Sequence, residues 1–253
     1  MNCLLIDIGN TCLKWGLDEE GMFTFGGRHN YASGLDETLF ENLPDDTVPE
    51  AAFISCVGHD EVKRQLCELL QARWGLAPSL LQSVARECGV SNAYPQPATL
   101  GSDRWAAMIA AFAQIKGPVC VIDCGTAVTL DVVNQAGVHL GGLIVPGYGL
   151  MQTCLQQGTH MTFRHEPAEA QAWQLGRTSE QCIQQGAGQA ISGMVSKTID
   201  RLQAENPGLE LLLTGGDAEL LQNQLDCIAT IEEHLVLKGL GIIYRARTTA
   251  DSL

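Results

Sequence analysis

Three short acidic segments carry residue types able to do chemistry: Asp7-Ile8-Gly9-Asn10-Thr11, Asp123-Cys124-Gly125-Thr126 and Gly101-Ser102-Asp103-Arg104. In the first two, an aspartate sits near the end of an apolar run and a glycine follows. Glycine tolerates positive φ and takes up no side-chain space, so backbone N–H groups at such a turn can approach a phosphate. Asn10 and Thr11 add neutral side-chain hydrogen bonds. The aspartates would repel a phosphate directly, but each can hold a cation or its water ligands, which then bridge to phosphate oxygens. A carboxylate at a buried strand end is costly without such a partner. In the third segment, Asp103 could accept a hydroxyl proton, and Arg104 could hold an anion or developing phosphoryl charge. The same residues also read more plainly, Ser102 as a helix N-cap and Asp103 as a favourable first-turn acid.

The elements that must position these residues recur. Cys3–Ile8 reads as a strand, Thr11–Leu17 as a second and Met22–Gly26 as a third, with a turn at Asp18-Glu19-Glu20-Gly21. After the segment that precedes Gly117-Pro118 the pattern returns: Val119–Cys124, a second strand Val128–Val133, a turn at Gly137, and a third strand. Each unit is expected to end in its third strand and then a glycine pair, Gly26-Gly27 and Gly141-Gly142. One such hairpin could be merely a good turn. Two with matched flanks indicate an internal duplication, which fixes architecture before any motif is weighed. Between the copies lie an expected helix over Leu35–Leu43, a buried parallel strand at Ala51–Val57, a helix over His59–Trp74, a loop-rich stretch at 79–101 and a helix over Ser102–Ile115. The second half continues with a helix over Thr178–Gln203, a strand at Leu209–Leu213, the turn Thr214-Gly215-Gly216-Asp217, and helices over Ala218–Leu225 and Leu235–Arg247. The expected fold is α/β, two duplicated lobes at 1–117 and 118–253, each a mixed sheet with flanking helices.

Composition narrows the function classes. The 253 residues are 45% hydrophobic and 17% charged, which suits a packed core. A net charge of -14 without a basic stripe argues against nucleic acid. The most apolar run, Val119–Val133, is interrupted by Asp123 and Asp131, so no membrane span is expected. Cys3–Ile6 opens the chain as a strand rather than a signal peptide, and the 10 cysteines form no C-x-x-C pair. That pattern indicates reduced thiols in the cytoplasm. The six histidines have no zinc spacing; His160 and His165 are too far apart for one helical face. No P-loop sequence occurs, and Gly186-Ala187-Gly188 lacks the third glycine of a dinucleotide fingerprint.

Two phosphate hairpins, one per half, resemble the arrangement of the actin, hexokinase and Hsp70 (ribonuclease H-like) superfold. More closely, Asp7-x-Gly9-Asn10-Thr11, Gly101-x-Asp103-Arg104, Asp123-x-Gly125-Thr126-Ala127, Gly141-Gly142-x-Ile144-x-Pro146-Gly147 and Gly215-Gly216 resemble, in order and approximate spacing, the type III pantothenate kinases. The resemblance runs along essentially the whole chain. It implies ATP-dependent phosphorylation of pantothenate, the first step of coenzyme A synthesis, with magnesium and a monovalent cation, potassium or ammonium. Asp7, Ile8, Gly9, Asn10, Thr11, Cys12, Leu13 and Lys14 would form the first ATP loop, with Asp7 near magnesium. Thr126, Gly215 and Gly216 would contact ATP, and Asp123 the monovalent cation. Asp103 would be the general base. Gly101, Ser102, Arg104 and Tyr94 would contact pantothenate, and Thr178 would close its pocket, in the family often across a homodimer interface. Gln156–Pro167 departs from the resemblance, being polar and histidine-bearing where leucine and proline are expected. Two rival readings keep the fold and change the role: a non-catalytic, nucleotide-binding transcriptional accessory protein, or a kinase for another small hydroxyl substrate.

Overall fold

The computed structural model describes residues 2–31, 34–44, 47–58, 60–159 and 174–250. It divides into two compact units, one of residues 1–114 with 234–253, the other of 115–233.

The first unit holds β1 (Asn2–Ile8), β2 (Leu13–Glu19), β3 (Met22–His29), β4 (Ala51–Cys56), α1 (Asp60–Trp74), β5 (Ser79–Leu80), β6 (Arg86–Glu87), β7 (Val90–Ser91) and α2 (Ser102–Ile115). The second holds β8 (Val119–Cys124), β9 (Ala127–Val133), β10 (His139–Pro146), α3 (Tyr148–Gly158), α4 (Ser179–Glu205), β11 (Glu210–Thr214), α5 (Ala218–Gln222) and β12 (Thr230–Ile231), and α6 (Leu235–Ala250) follows. The sheets are ordered β3-β2-β1-β4-β5 and β10-β9-β8-β11-β12. In each, the first strand pairs antiparallel with the second and parallel with the fourth, Asp7 opposite Ser55 and Asp123 opposite Thr214. The duplicated sequence is therefore a duplicated sheet topology.

Burial explains why β1 and β8 are central. Each is a nearly continuous apolar run buried on both faces, as a strand flanked on both sides and covered by helices must be. One face of the first sheet buries Leu4, Ile6 and Ile8 with Val62, Leu66 and Leu70 of α1. In the second sheet, Ile122, Leu130 and Leu213 pack with Ile191, Val195 and Ile199 of α4. Helix α2 is buried from Trp105 to Ala111, as a helix apolar all round should be.

The structure departs from the sequence expectations in four places. Leu35–Leu43 is only a short 3-10 turn, Glu37–Phe40, capped by the Asp36 side chain on the Thr38 N–H; Pro44 lies too close for a longer helix. The glycine pairs sit inside β3 and β10 rather than after them. Gly26 is required because a Cβ there would strike the Trp15 ring, and Gly141 takes φ +119 at a register shift. Helix α3 was not anticipated. Finally, α6, read as part of the second lobe, packs on β1, β2 and β4 of the first. Gly239 lets its backbone meet that of α2 at Ala106, and Gly241 lets it approach Asp18 and Leu5. The apolar face of Leu235–Tyr244 is thus spent on the first unit's core.

Candidate active site

In the first unit, four residues link Ile8 to Leu13, which face each other across β1 and β2. The Gly9 N–H donates to the Cys12 carbonyl at 3.2 Å, and the Tyr31 hydroxyl donates to the Gly9 carbonyl. Burial, followed by the nearby Cys12, Cys56 and Asp7, raises the Tyr31 hydroxyl above its usual range, which keeps it a donor. Asn10 and Thr11 are exposed, while Ile8 and Leu13 are fully buried. Of the eight residues expected to form the ATP loop, Ile8 and Leu13 can therefore offer only backbone. Neither Gly9 nor Gly125 adopts positive φ, contrary to the first of the two reasons given for glycine. The second reason holds: a Cβ at Gly9 would meet nothing closer than the Cys12 carbonyl at 3.4 Å. No protein atom demands glycine there.

Beside this hairpin stands the start of α2. Ser55, opposite Asp7 on the neighbouring strand, shares a buried 3.0 Å hydrogen bond with Ser102. Adjacent strands lie about 4.8 Å apart, so this bond fixes the Asp103 turn next to the Asp7 hairpin. Asp103 Oδ1 accepts the Arg104 backbone N–H at 2.7 Å, whereas Ser102, expected as the N-cap, is the first residue of α2 and its hydroxyl is engaged by Ser55. A Cβ at Gly101 would lie 2.5 Å from Asp103 Oδ1, so glycine is what leaves the carboxylate room. Arg104 is buried, and its Nη1 donates to the Tyr94 hydroxyl at 2.9 Å. The Tyr94 N–H in turn donates to Asn92 Oδ1, and the Asn92 amide donates to the Val84 and Pro97 carbonyls. Tyr94 is thus more than packing in a proline-rich loop: it orients a buried guanidinium. Asp7, Tyr94, Gly101, Ser102, Asp103 and Arg104 belong to one unit, in which Arg104 bonds both Asp103 and Tyr94.

In the second unit the hairpin link is three residues, between Cys124 and Val128. The Gly125 N–H donates to the Ala127 carbonyl at 3.1 Å. Two other glycines brace this turn. Gly147 donates its N–H to the Thr126 carbonyl at 2.9 Å, and a Cβ there would strike the Gly125 carbonyl. Gly215, at φ +92, packs where a Cβ would strike the Cys124 carbonyl and lie 2.5 Å from Asp123 Oδ1. The Asp217 N–H donates to the Cys124 carbonyl at 3.0 Å. Burial, then Asp123 and Asp217, pushes the Cys124 thiol up, which marks a dry and acidic strand end. Asp123, Gly125, Thr126, Gly215 and Gly216 are therefore brought together, with Thr126 and Gly216 exposed.

Thr178 stands apart. Its hydroxyl caps α4 by accepting the Gln181 N–H at 3.3 Å. It also lines an apolar groove of about 910 Å³ between α3 and α4, with Pro146, Met151 and Ile183. Residues 160–167 of the divergent Gln156–Pro167 stretch, including His160 and His165, lie outside the described residues.

Sequence reading missed three contributors. Tyr31 and Ser55 act across 22 and 47 residues, and no local pattern announces such contacts. Gly147 did carry a signal, as the last residue of Gly141-Gly142-x-Ile144-x-Pro146-Gly147, although its bracing role needed coordinates.

Comparison with known proteins bears on the whole chain. The family model for type III pantothenate kinase matches residues 3–201. A type III pantothenate kinase of Nitrosospira multiformis is 36% identical, covering 100% of this chain and 94% of its own. That of Thiobacillus denitrificans is 37% identical over 96% of each. Among solved structures, a Campylobacter jejuni protein described as of the Baf family of transcriptional activators aligns at TM-score 0.55 and 21% identity, covering 99% of this chain and 100% of its own. The ADPNP-bound activator of a Clostridium difficile 2-hydroxyisocaproyl-CoA dehydratase aligns at TM-score 0.52 and 11% identity, covering 100% and 96%. The structural likenesses establish the fold, two actin-like units. With the sequence matched this far along its length, the chain belongs to the type III pantothenate kinase family.

Proposed function

We propose that the protein transfers the γ-phosphoryl group of ATP to the primary hydroxyl of pantothenate, giving 4'-phosphopantothenate and ADP at the start of coenzyme A synthesis. The family match over residues 3–201 carries this reading. Asp103 accepts the hydroxyl proton as the oxygen attacks the γ-phosphorus and the bond to the β-phosphate oxygen breaks. Arg104, held by Tyr94, pairs with the anionic substrate. Gly101 and Ser102 place the base, and Thr178 closes the pantothenate pocket.

Backbone N–H groups of the Asp7–Lys14 loop, together with Thr126, Gly215 and Gly216, serve the nucleotide. The lack of a side chain at Gly9 suits a phosphate approaching bare backbone. Asp7 and Asp123 are half-buried carboxylates beside glycine turns, a donor set that fits hard cations. Among the described residues no three His, Cys, Asp or Glu groups cluster as a metal cage. Asp7 would serve magnesium through water, and Asp123 a potassium or ammonium ion. Such cations supply neutralisation of phosphate charge. We further propose a cytoplasmic homodimer. No helix among the described residues is long and apolar enough to cross a membrane.

The test is ADP release with ATP, magnesium and pantothenate, in potassium and then in sodium. Pantothenate-dependent turnover that requires potassium is expected. ATP binding without turnover in either salt would move the reading to an accessory protein or to another hydroxyl substrate.

A further inference from the structure

Between β7 and α2 the chain crosses a stretch that no ladder holds. Pro95 and Pro97 have no N–H to donate, and Pro95 confines Tyr94, the residue before it, to extended backbone. The place of Tyr94 therefore depends on side chains, and Asn92 supplies three bonds at once. Its Nδ2 donates to the Val84 carbonyl at 3.3 Å and to the Pro97 carbonyl at 3.2 Å, while its Oδ1 accepts the Tyr94 N–H at 2.9 Å. Two donors and an acceptor on so short a side chain are found only in asparagine. Aspartate has the same shape and, when ionised, no donor; alanine has neither.

Asn92 is itself well anchored. Its N–H donates to the Ala85 carbonyl at 2.9 Å, which extends the pairing of Arg86 with Ser91 and of Glu87 with Val90 between β6 and β7. That hairpin is fastened through the Glu87 carboxylate. It accepts Arg247 Nε at 2.7 Å and Nη2 at 3.0 Å from α6, and Trp105 Nε1 at 3.4 Å from α2. On the other side of Asn92, Tyr94 meets Arg104 twice: its hydroxyl accepts Nη1 at 2.9 Å, and the guanidinium carbon lies 5.8 Å from its ring centre. Asn92 thus joins a fixed hairpin to the aromatic ring that holds a buried guanidinium, and a network so linked responds as a unit.

We propose that Asn92 is a positioning residue for anion binding. By fixing the backbone of Tyr94 it sets the direction of the Arg104 guanidinium, and with it the affinity for a carboxylate-bearing substrate. The proposal rests on the reading of Arg104 as the substrate's anionic partner, and Asn92 acts through Tyr94 rather than on the substrate.

The test compares wild type, Asn92→Ala, Asn92→Asp, Tyr94→Phe and the double variant Asn92→Ala with Tyr94→Phe, by steady-state kinetics and by a crystal structure of an Asn92 variant. Asn92→Asp conserves shape and the acceptor for Tyr94, and it serves for both measurements if Asn92→Ala does not fold. Each Asn92 variant should raise KM for pantothenate about ten-fold, with kcat and KM for ATP within about two-fold of wild type. In the Tyr94→Phe background the Asn92 change should add no more than about two-fold, because the two residues act on Arg104 in series. The crystal structure should show the Tyr94 hydroxyl withdrawn from Arg104 Nη1. Effects of the two substitutions that multiply in full would show a general role in loop stability and overturn the proposal. So would an unchanged KM for pantothenate, or a variant structure that keeps the Tyr94–Arg104 bond. A wild type without pantothenate-dependent turnover would overturn the substrate reading instead, and the variant structure would then decide the positioning role alone.

Discussion

The two hairpins descend from one pattern yet are held in opposite ways. The Asp7 hairpin is tethered by a long-range side chain, the Tyr31 hydroxyl on the Gly9 carbonyl, and a Cβ at its glycine would meet the Cys12 carbonyl only at 3.4 Å. The Asp123 hairpin is wedged between Gly147 and Gly215, with backbone against backbone. The residues proposed for proton transfer and substrate binding, Asp103, Arg104 and Tyr94, belong to the first unit. The difference separates glycines that brace a turn from the motif glycine inside it. At Gly147 and Gly215 the protein itself excludes a side chain; at Gly9 and Gly125 it does not. Duplication supplied the scaffold twice, while the proposed general base lies on one copy.

The largest effect should come from the unit that carries the proposed general base. Asp103→Asn is expected to lower kcat by about a hundred-fold or more with an unchanged melting temperature; near-normal turnover would remove the base assignment. The glycines should then part company. Gly215→Ala meets both a clash and a positive φ, and should cost roughly 1–3 kcal/mol in denaturant unfolding. Gly9→Ala should stay within about 0.5 kcal/mol of wild type while raising KM for ATP. If Gly9→Ala destabilises as much as Gly215→Ala, the contrast between bracing and motif glycines is wrong.

Tyr94→Phe removes one partner of a buried guanidinium and should raise KM for pantothenate about ten-fold, from a loss of roughly 1.5 kcal/mol, leaving KM for ATP unchanged. Tyr31→Phe should cost about 1 kcal/mol of stability. Its hydroxyl has a raised pKa when folded, so the folded state favours the protonated donor. The contribution should be full below pH 10, the ordinary tyrosine value, and lost as pH climbs through the higher folded value. Equal sensitivity of wild type and Tyr31→Phe to alkaline unfolding would show that this bond does not hold the hairpin.

How much of this was legible depended on range. The central strands, the hairpin pairing and α2 could be read from Val119–Cys124, its echo at Cys3–Ile8, and the apolar run after Ser102, because period and turn chemistry are local. The proposed role of Asp103 rests on its neighbours Gly101 and Arg104, since a first-turn aspartate alone reads as a helix-stabilising acid. Tyr31 and Ser55 were not legible, because their partners are set by register between strands distant in sequence. The membership of α6 failed for the same reason. Its apolar face is plain in the sequence, but the surface it covers is decided by Gly239 and Gly241 meeting α2 and β1 at close range.

That last helix carries a consequence for how the molecule is made. Because α6 covers one face of the first sheet while the second unit intervenes in the chain, the unit begun first on the ribosome is finished last. Until residues 235–250 emerge, Cys3, Leu5 and Phe53 stand without their cover, whereas 115–233 is a continuous stretch able to complete itself beforehand. The nascent chain therefore holds an exposed sheet through much of its synthesis, and that interval is when a holdase would have most to grip.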